Sequence, residues 1–157
     1  MKNKYSKDCS MPNNRKILLV EDNPDDVELT LRAFKKNNII NTVIVKRDGA
    51  EALDFFFGKE GAANDHKNEL PVVILLDLKI PKINGIEVLK KLKADERTKL
   101  IPVVILTSST EPGDLLSCYK LGCNSYIRKP VDFSQFIEMV KQLGLYWLLI
   151  NEGPNSL

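Results

Sequence analysis

Histidine and cysteine are scarce in this chain: one histidine, His66, and three cysteines, Cys9, Cys118 and Cys123. The cysteines are odd in number and lack the paired spacing of a zinc site, so they read as free thiols of a reducing compartment, the cytosol. His66 lies in a polar stretch, residues 58–70, where a lone histidine reads as solvated rather than as a ligand. Long apolar runs are missing too. The longest fall far below the roughly 20 residues that a membrane span needs, and residues 1–14 carry no apolar core of a signal peptide. Charge of one sign is not in excess: the net value is +2, which gives no reason to expect nucleic acid. The basic residues Lys2, Lys4, Lys7, Arg15 and Lys16 read as a solvated N-terminal tail. The chain holds no internal repeat and no low-complexity tract.

What is present is ordinary for one soluble domain: 157 residues, 43% hydrophobic and 28% charged. A chain of this size can bury a substantial core. The expected division is a flexible tail over 1–14, one domain over 15–150 and a short tail over 151–157. Five strand patterns, Lys16–Val20, Thr42–Val45, Val72–Leu76, Pro102–Leu106 and Ser125–Ile127, alternate with five helical ones. The first strand does not alternate polar with apolar residues, which predicts burial on both faces and a central place in the sheet. Asn23 with Pro24 after it starts a helix running to about Lys36, with Val27, Leu31 and Phe34 inward. A second helix over 49–57 should turn Ala50, Leu53 and Phe57 inward. Asn84 caps a third, in which Gly85, Val88, Leu89 and Leu92 recur at helical spacing. A fourth runs from Pro112 to Gly122, a fitting left-handed end residue. The fifth begins near Ser134, with Phe136, Ile137, Val140 and Leu143 inward. Strands alternating with helices imply an α/β fold, a doubly wound parallel sheet covered on both faces.

Reactive side chains collect at the strand ends. Asp77 closes Val72–Leu76, and Glu21 and Asp22 close Ile17–Val20. Two later apolar runs end near Thr107 and Lys129. In an open parallel sheet the carboxyl ends of the strands are where ligands bind. Carboxylates crowded at one point need a cation between them, and an all-oxygen set suits a hard ion such as Mg²⁺. The pattern reads as a place where a metal and a phosphoryl group meet.

Those residues, in that order, resemble the response-regulator receiver domain of two-component signalling. The match is Leu19-Val20-Glu21-Asp22-Asn23, then Leu76-Asp77-Leu78-Lys79-Ile80-Pro81 with Gly85 after it, then Thr107-Ser108, then Tyr126-Ile127-Arg128-Lys129-Pro130. It covers about Lys16 to Leu143. The resemblance implies a flavodoxin-like five-stranded sheet of order 2-1-3-4-5. It implies Asp77 as phosphoacceptor, and Glu21, Asp22, Asp77 and the backbone carbonyl of Lys79 as the Mg²⁺ site, with Glu21 acting through a metal-bound water. It implies Lys129 and Thr107 as partners of the phosphoryl oxygens. Tyr126 is the residue expected to turn inward behind Thr107, remodelling the surface of helix 4, strand 5 and helix 5. A cis Lys129–Pro130 peptide would aim the lysine into the site. The protein would then be no enzyme beyond its own phosphotransfer and dephosphorylation. It would be a stand-alone cytoplasmic response regulator that takes its phosphoryl group from a sensor histidine kinase.

The long stretch before strand 3 and the apolar segment Leu145–Ile150 are similar to single-domain regulators that pair with bacteriophytochrome kinases. A segment apolar on every side is expected to be buried. Either it folds back onto its own domain or it meets a second copy; the favoured expectation is a two-fold homodimer in which Tyr146, Trp147 and Leu148 extend the surface of helix 4, strand 5 and helix 5. Three other functions fit less well. An aspartate-nucleophile phosphatase wants a second acid two residues after Asp77, where Lys79 stands. A flavin module wants a Ser/Thr/Gly-rich phosphate loop, where Glu21-Asp22-Asn23-Pro24-Asp25-Asp26 would repel a bare phosphate. A pseudo-receiver that scaffolds partners without phosphorylation is the alternative, although the full set of chemical residues is present. Lys79 departs from the polar residue often found there, which predicts an altered phosphate lifetime. Dephosphorylation of the wild type and Lys79→Asn should differ, and equal rates would contradict the expectation.

Overall fold

In the computed structural model, residues 15–58, 70–129 and 132–144 are described. The strands are β1 (Ile17–Val20), β2 (Val43–Lys46), β3 (Val73–Leu76), β4 (Val103–Thr107) and β5 (Ser125–Arg128). They form one parallel sheet of order β2-β1-β3-β4-β5, as expected. β1 is interior, but β3 holds the middle. The three inner strands are buried along their whole length, which explains why they read as unbroken apolar runs.

Five helices are described: α1 (Pro24–Lys36), α2 (Gly49–Phe57), α3 (Gly85–Ala94), α4 (Pro112–Leu121) and α5 (Phe133–Gly144). On one face, Val27, Ala33 and Phe34 of α1 and Phe136 and Val140 of α5 pack on Ile17, Leu19, Leu75 and Val104. On the other, α2, α3 and α4 cover Leu18, Val20, Ile74, Leu76 and Ile105. Asn23, Asp48 and Asn84 cap α1, α2 and α3 through side-chain oxygens that accept backbone N–H groups. Gly122 ends α4 at φ 99°, where a Cβ would be strained.

Two predicted helix faces are rotated. In α1 the buried residues are Val27, Thr30, Ala33 and Phe34, and Leu31 is exposed. Thr30 goes inward because its hydroxyl donates to the Asp26 carbonyl and needs no other partner. In α2 Ala52, Leu53 and Phe56 are buried; Leu53 is as expected, Phe57 packs half-buried against the core, and Ala50 is not part of it. With three phenylalanines in a row the pattern has no unique face, and the Asp48 cap sets the rotation. The α3 and α5 faces match expectation.

Cys118 and Cys123 are free and buried, and burial raises both thiols, Cys118 to about 11. Neither is poised to react. Cys9, His66, Pro130 with its expected cis bond, and the expected dimer residues Tyr146, Trp147 and Leu148 lie outside the described residues.

Candidate functional site

The sheet continues past its assigned ends, and this brings the site together. The N–H of Glu21 donates to the Lys46 carbonyl, that of Asp77 to Val20, and that of Lys129 to Thr107. Glu21, Asp77 and Lys129 are thereby held on strand extensions at one edge of the molecule, and rigid elements position side chains better than free loops do. Gly85 fixes the floor. Its N–H donates to the Leu78 carbonyl at 2.9 Å, and a Cβ there would collide with the Asp77 carbonyl.

Lys129 is the hub. Its ammonium donates to Glu21 Oε2 at 2.6 Å, Asp26 Oδ2 at 2.8 Å and Asp77 Oδ2 at 2.8 Å. An ammonium has three donors, and all three are used. Burial alone would lower its pKa, but Asp26, Asp77 and Glu21 together outweigh that and raise it. Glu21 behaves oppositely. Burial, reinforced by the Asp77 charge, pushes it up to about 7 against the pull of Lys129. One ammonium does not neutralise this many carboxylates, so the site has room for more positive charge.

Glu21, Asp22 and Asp77 each offer an oxygen within 4.8 Å of the others, with Asp22 on the solvent side. Three carboxylates, two buried and one open to water, suit a hard divalent ion that keeps some of its waters, so these residues fit Mg²⁺. The Lys79 N–H donates to Asp77 Oδ1 at 3.2 Å, which orients the carboxylate. The Lys79 side chain is exposed.

Thr107 and Tyr126 are near the cluster in the fold but not bonded to it. Thr107 is fully buried, and its hydroxyl accepts the Ser109 N–H at 3.2 Å. Ser109 donates to Asp114 Oδ2 at 2.5 Å and accepts from the Glu111 N–H, which ties the β4–α4 turn to the first turn of α4. The Tyr126 hydroxyl is buried without a hydrogen bond of good geometry. Burial raises its pKa, and the neighbouring Ser109 hydroxyl offsets this only in part.

Asp26 was legible only as an acid in the first turn of α1, favourable to the helix dipole. Its contact with a lysine 103 residues away was not. One signal was available: side chains tilt toward a helix N-terminus, and α1 begins directly beyond Asp22, so an acid in its first turn leans back over the strand ends.

The model of the response regulator receiver domain matches residues 17–141. The chain belongs to that family. The receiver is 41% identical over 138 residues to the probable methanogenesis regulatory protein FilR2 of Methanothrix harundinacea, spanning 88% of this chain and 86% of the relative. Among solved structures, the phosphorylated cyanobacterial phytochrome response regulator RcpA superposes with a TM-score of 0.81 at 38% identity, over 89% of this chain and 98% of the other. The Mn²⁺-bound form of response regulator Rcp1 gives 0.78 at 35%, over 89% and 99%. Rcp1 is from Synechocystis. The resemblance read from the strand-end residues, including the likeness to phytochrome response regulators, is borne out.

Proposed function

We propose that this receiver accepts a phosphoryl group on Asp77 from a histidine kinase of the phytochrome type, with Mg²⁺, and passes the signal through the surface of α4, β5 and α5. The observation that carries this reading is the shared ammonium: Lys129 bonds at once to the proposed acceptor, Asp77, and to the proposed metal ligand, Glu21. An Asp77 oxygen attacks phosphorus, the P–N bond of the phosphohistidine breaks, and the imidazole leaves with the electron pair and takes a proton. Bound Mg²⁺ supplies charge neutralisation for the transferring group. Lys129 turns one N–H from Asp77 to a phosphoryl oxygen, and the Lys79 N–H holds the other carboxylate oxygen. Thr107 gives its hydroxyl to the phosphoryl group. This draws on the β4–α4 turn, where Ser109, Asp114 and the poorly satisfied Tyr126 hydroxyl lie. The protein acts as no enzyme beyond this self-directed chemistry, and it works in the cytoplasm.

One observation supports the output surface, and the comparisons support the rest of the reading. α4 leaves Leu115, Leu116 and Tyr119 exposed, an apolar set that a partner or a second copy would cover. The similarity to RcpA and Rcp1 supports the kinase class and the metal. Homodimerisation belongs to the same proposal, and light scattering at tens of micromolar, with and without a phosphate mimic, should report two copies. No direct contact with nucleic acid or membrane is part of it, and among the described residues no helix is long and apolar enough to span a bilayer. The test is transfer of labelled phosphoryl from an autophosphorylated phytochrome-type kinase. The wild type should become labelled and Asp77→Asn should not; label on both, or on neither, contradicts the reading.

The raised pKa of Glu21 gives a pH dependence. Metal binding needs the carboxylate, so below about pH 7 it must release a proton. Mg²⁺ affinity should therefore climb from pH 6 to pH 8, by nearly tenfold per unit at the acidic end if Glu21 must ionise. Metal-free stability runs the other way. The folded pKa lies above the unfolded 4.5, so the stabilisation from protonated Glu21 is complete below 4.5 and lost as pH rises through about 7. Calorimetric titration and denaturation of wild type and Glu21→Gln check both trends, which the glutamine should flatten.

A further inference from the structure

Asp26 has no place in the chemistry described so far. It is not one of the three clustered carboxylates, yet it holds Lys129 Nζ at 2.8 Å, as short as the bond to Asp77. Its side chain keeps about a third of its surface in solvent, whereas those of Glu21 and Asp77 are buried. Asp26 therefore pulls the ammonium outward, and Glu21 and Asp77 pull it inward. The inward pair is also what a divalent ion must engage. Each oxygen the ion takes weakens a bond to the lysine, and the ammonium then needs another acceptor close by. Asp26 is that acceptor, carried on the capped first turn of α1.

We propose that Asp26 is a positioning residue for Lys129: it draws the ammonium aside when Mg²⁺ engages Glu21 and Asp77, and keeps it within reach of the incoming phosphoryl group. This rests on the proposed phosphoacceptor reading and deepens it. Without Asp26 the ammonium settles fully on Glu21 and Asp77 and competes with the metal. The defect is therefore one of metal affinity. It should show as a raised Mg²⁺ requirement for phosphorylation and disappear at saturating Mg²⁺.

The test is calorimetric Mg²⁺ titration of the full chain without any phosphodonor, on wild type, Asp26→Asn, Asp26→Glu and Asp25→Asn. Asp25 sits one residue earlier, is exposed and is not among the partners of Lys129, so its variant removes the same charge from the same turn. Asp26→Asn should weaken Mg²⁺ binding roughly three- to tenfold, as expected for loss of a charge-assisted bond. Asp26→Glu should restore much of it, and Asp25→Asn should change it less than twofold. In a Lys129→Met background, Asp26→Asn should have no effect beyond that of Asp25→Asn, because a residue acting through the lysine has nothing left to position. Equal losses in Asp26→Asn and Asp25→Asn, or a full Asp26→Asn effect without the lysine, would overturn the inference while leaving the phosphoacceptor reading intact. A wild type that binds no Mg²⁺ would overturn both.

Discussion

Lys129→Met should lower the stability of the metal-free protein by on the order of 3 kcal/mol, the cost of stranding a buried charge that has lost its partner. Among the described residues the lysine is the one group bonded to both Glu21 and Asp77, whose side chains are 4% and 6% exposed. Methionine fills much of the same volume, so the loss comes from charge rather than from a cavity. For a chain of this size the melting midpoint should fall by roughly 6–12 °C. Mg²⁺ should recover part of it, because an ion that binds only the folded state stabilises it by mass action. Protonation of Glu21, already poised near pH 7, should recover another part as the pH is lowered. Thermal denaturation in chelator, in Mg²⁺ and at two pH values measures all three. A variant as stable as the wild type in chelator would mean that the three bonds to Lys129 are offset by the cost of burying it.

Gly85→Ala should be nearly as damaging, against its helix propensity. An alanine for a glycine in a helix usually stabilises by up to about 1 kcal/mol. At Gly85 the new methyl meets backbone, the Asp77 carbonyl and the Leu78 Cα, neither of which can rotate away. α3 must move off the strand end, at a cost of about 2–3 kcal/mol by analogy with overpacked cores. The displaced peptide is that of the proposed acceptor, so phosphoryl uptake should slow by roughly tenfold to a hundredfold, the scale of ångström misplacement. Gly113→Ala is the control: nothing lies within 4 Å of its Cβ position, and neither property should fall. A Gly85→Ala protein that is stabilised and phosphorylates normally would contradict this account of the site floor.

Much of the architecture was legible because burial writes itself into sequence. The runs Ile17–Val20, Val73–Leu76 and Val103–Leu106 are apolar throughout because helices cover both faces; their alternation with helices implied a parallel sheet, while the strand order came from the family resemblance. Polar residues that cap helices, such as Asn23, Asp48 and Asn84, are local devices, and the two asparagines were read correctly from short windows. The failures were questions of rotation and of distance. Phe55, Phe56 and Phe57 give no periodic hint of which ring is inward. Leu31 is apolar but exposed, and Thr30 is polar but buried, because a bond within the helix satisfies its hydroxyl. At the site, Glu21, Asp22, Asp77 and Lys129 could be named because each follows a strand end. The sequence could not say that Lys129 also reaches Asp26, since that bond depends on how α1 leaves the sheet. Nor could it say that Ser109 binds Asp114 while Thr107 turns toward Ser109.

The central claim is that Asp77 is a metal-dependent phosphoacceptor, and intact-mass measurement after incubation with Mg²⁺ and fresh acetyl phosphate tests it most directly. The account predicts one added phosphoryl group on the wild type, and none without metal or on Asp77→Asn. An unchanged wild-type mass, or a phosphoryl group that survives the Asp77→Asn substitution, would contradict it. The first of those outcomes would instead favour a scaffold that works without phosphorylation.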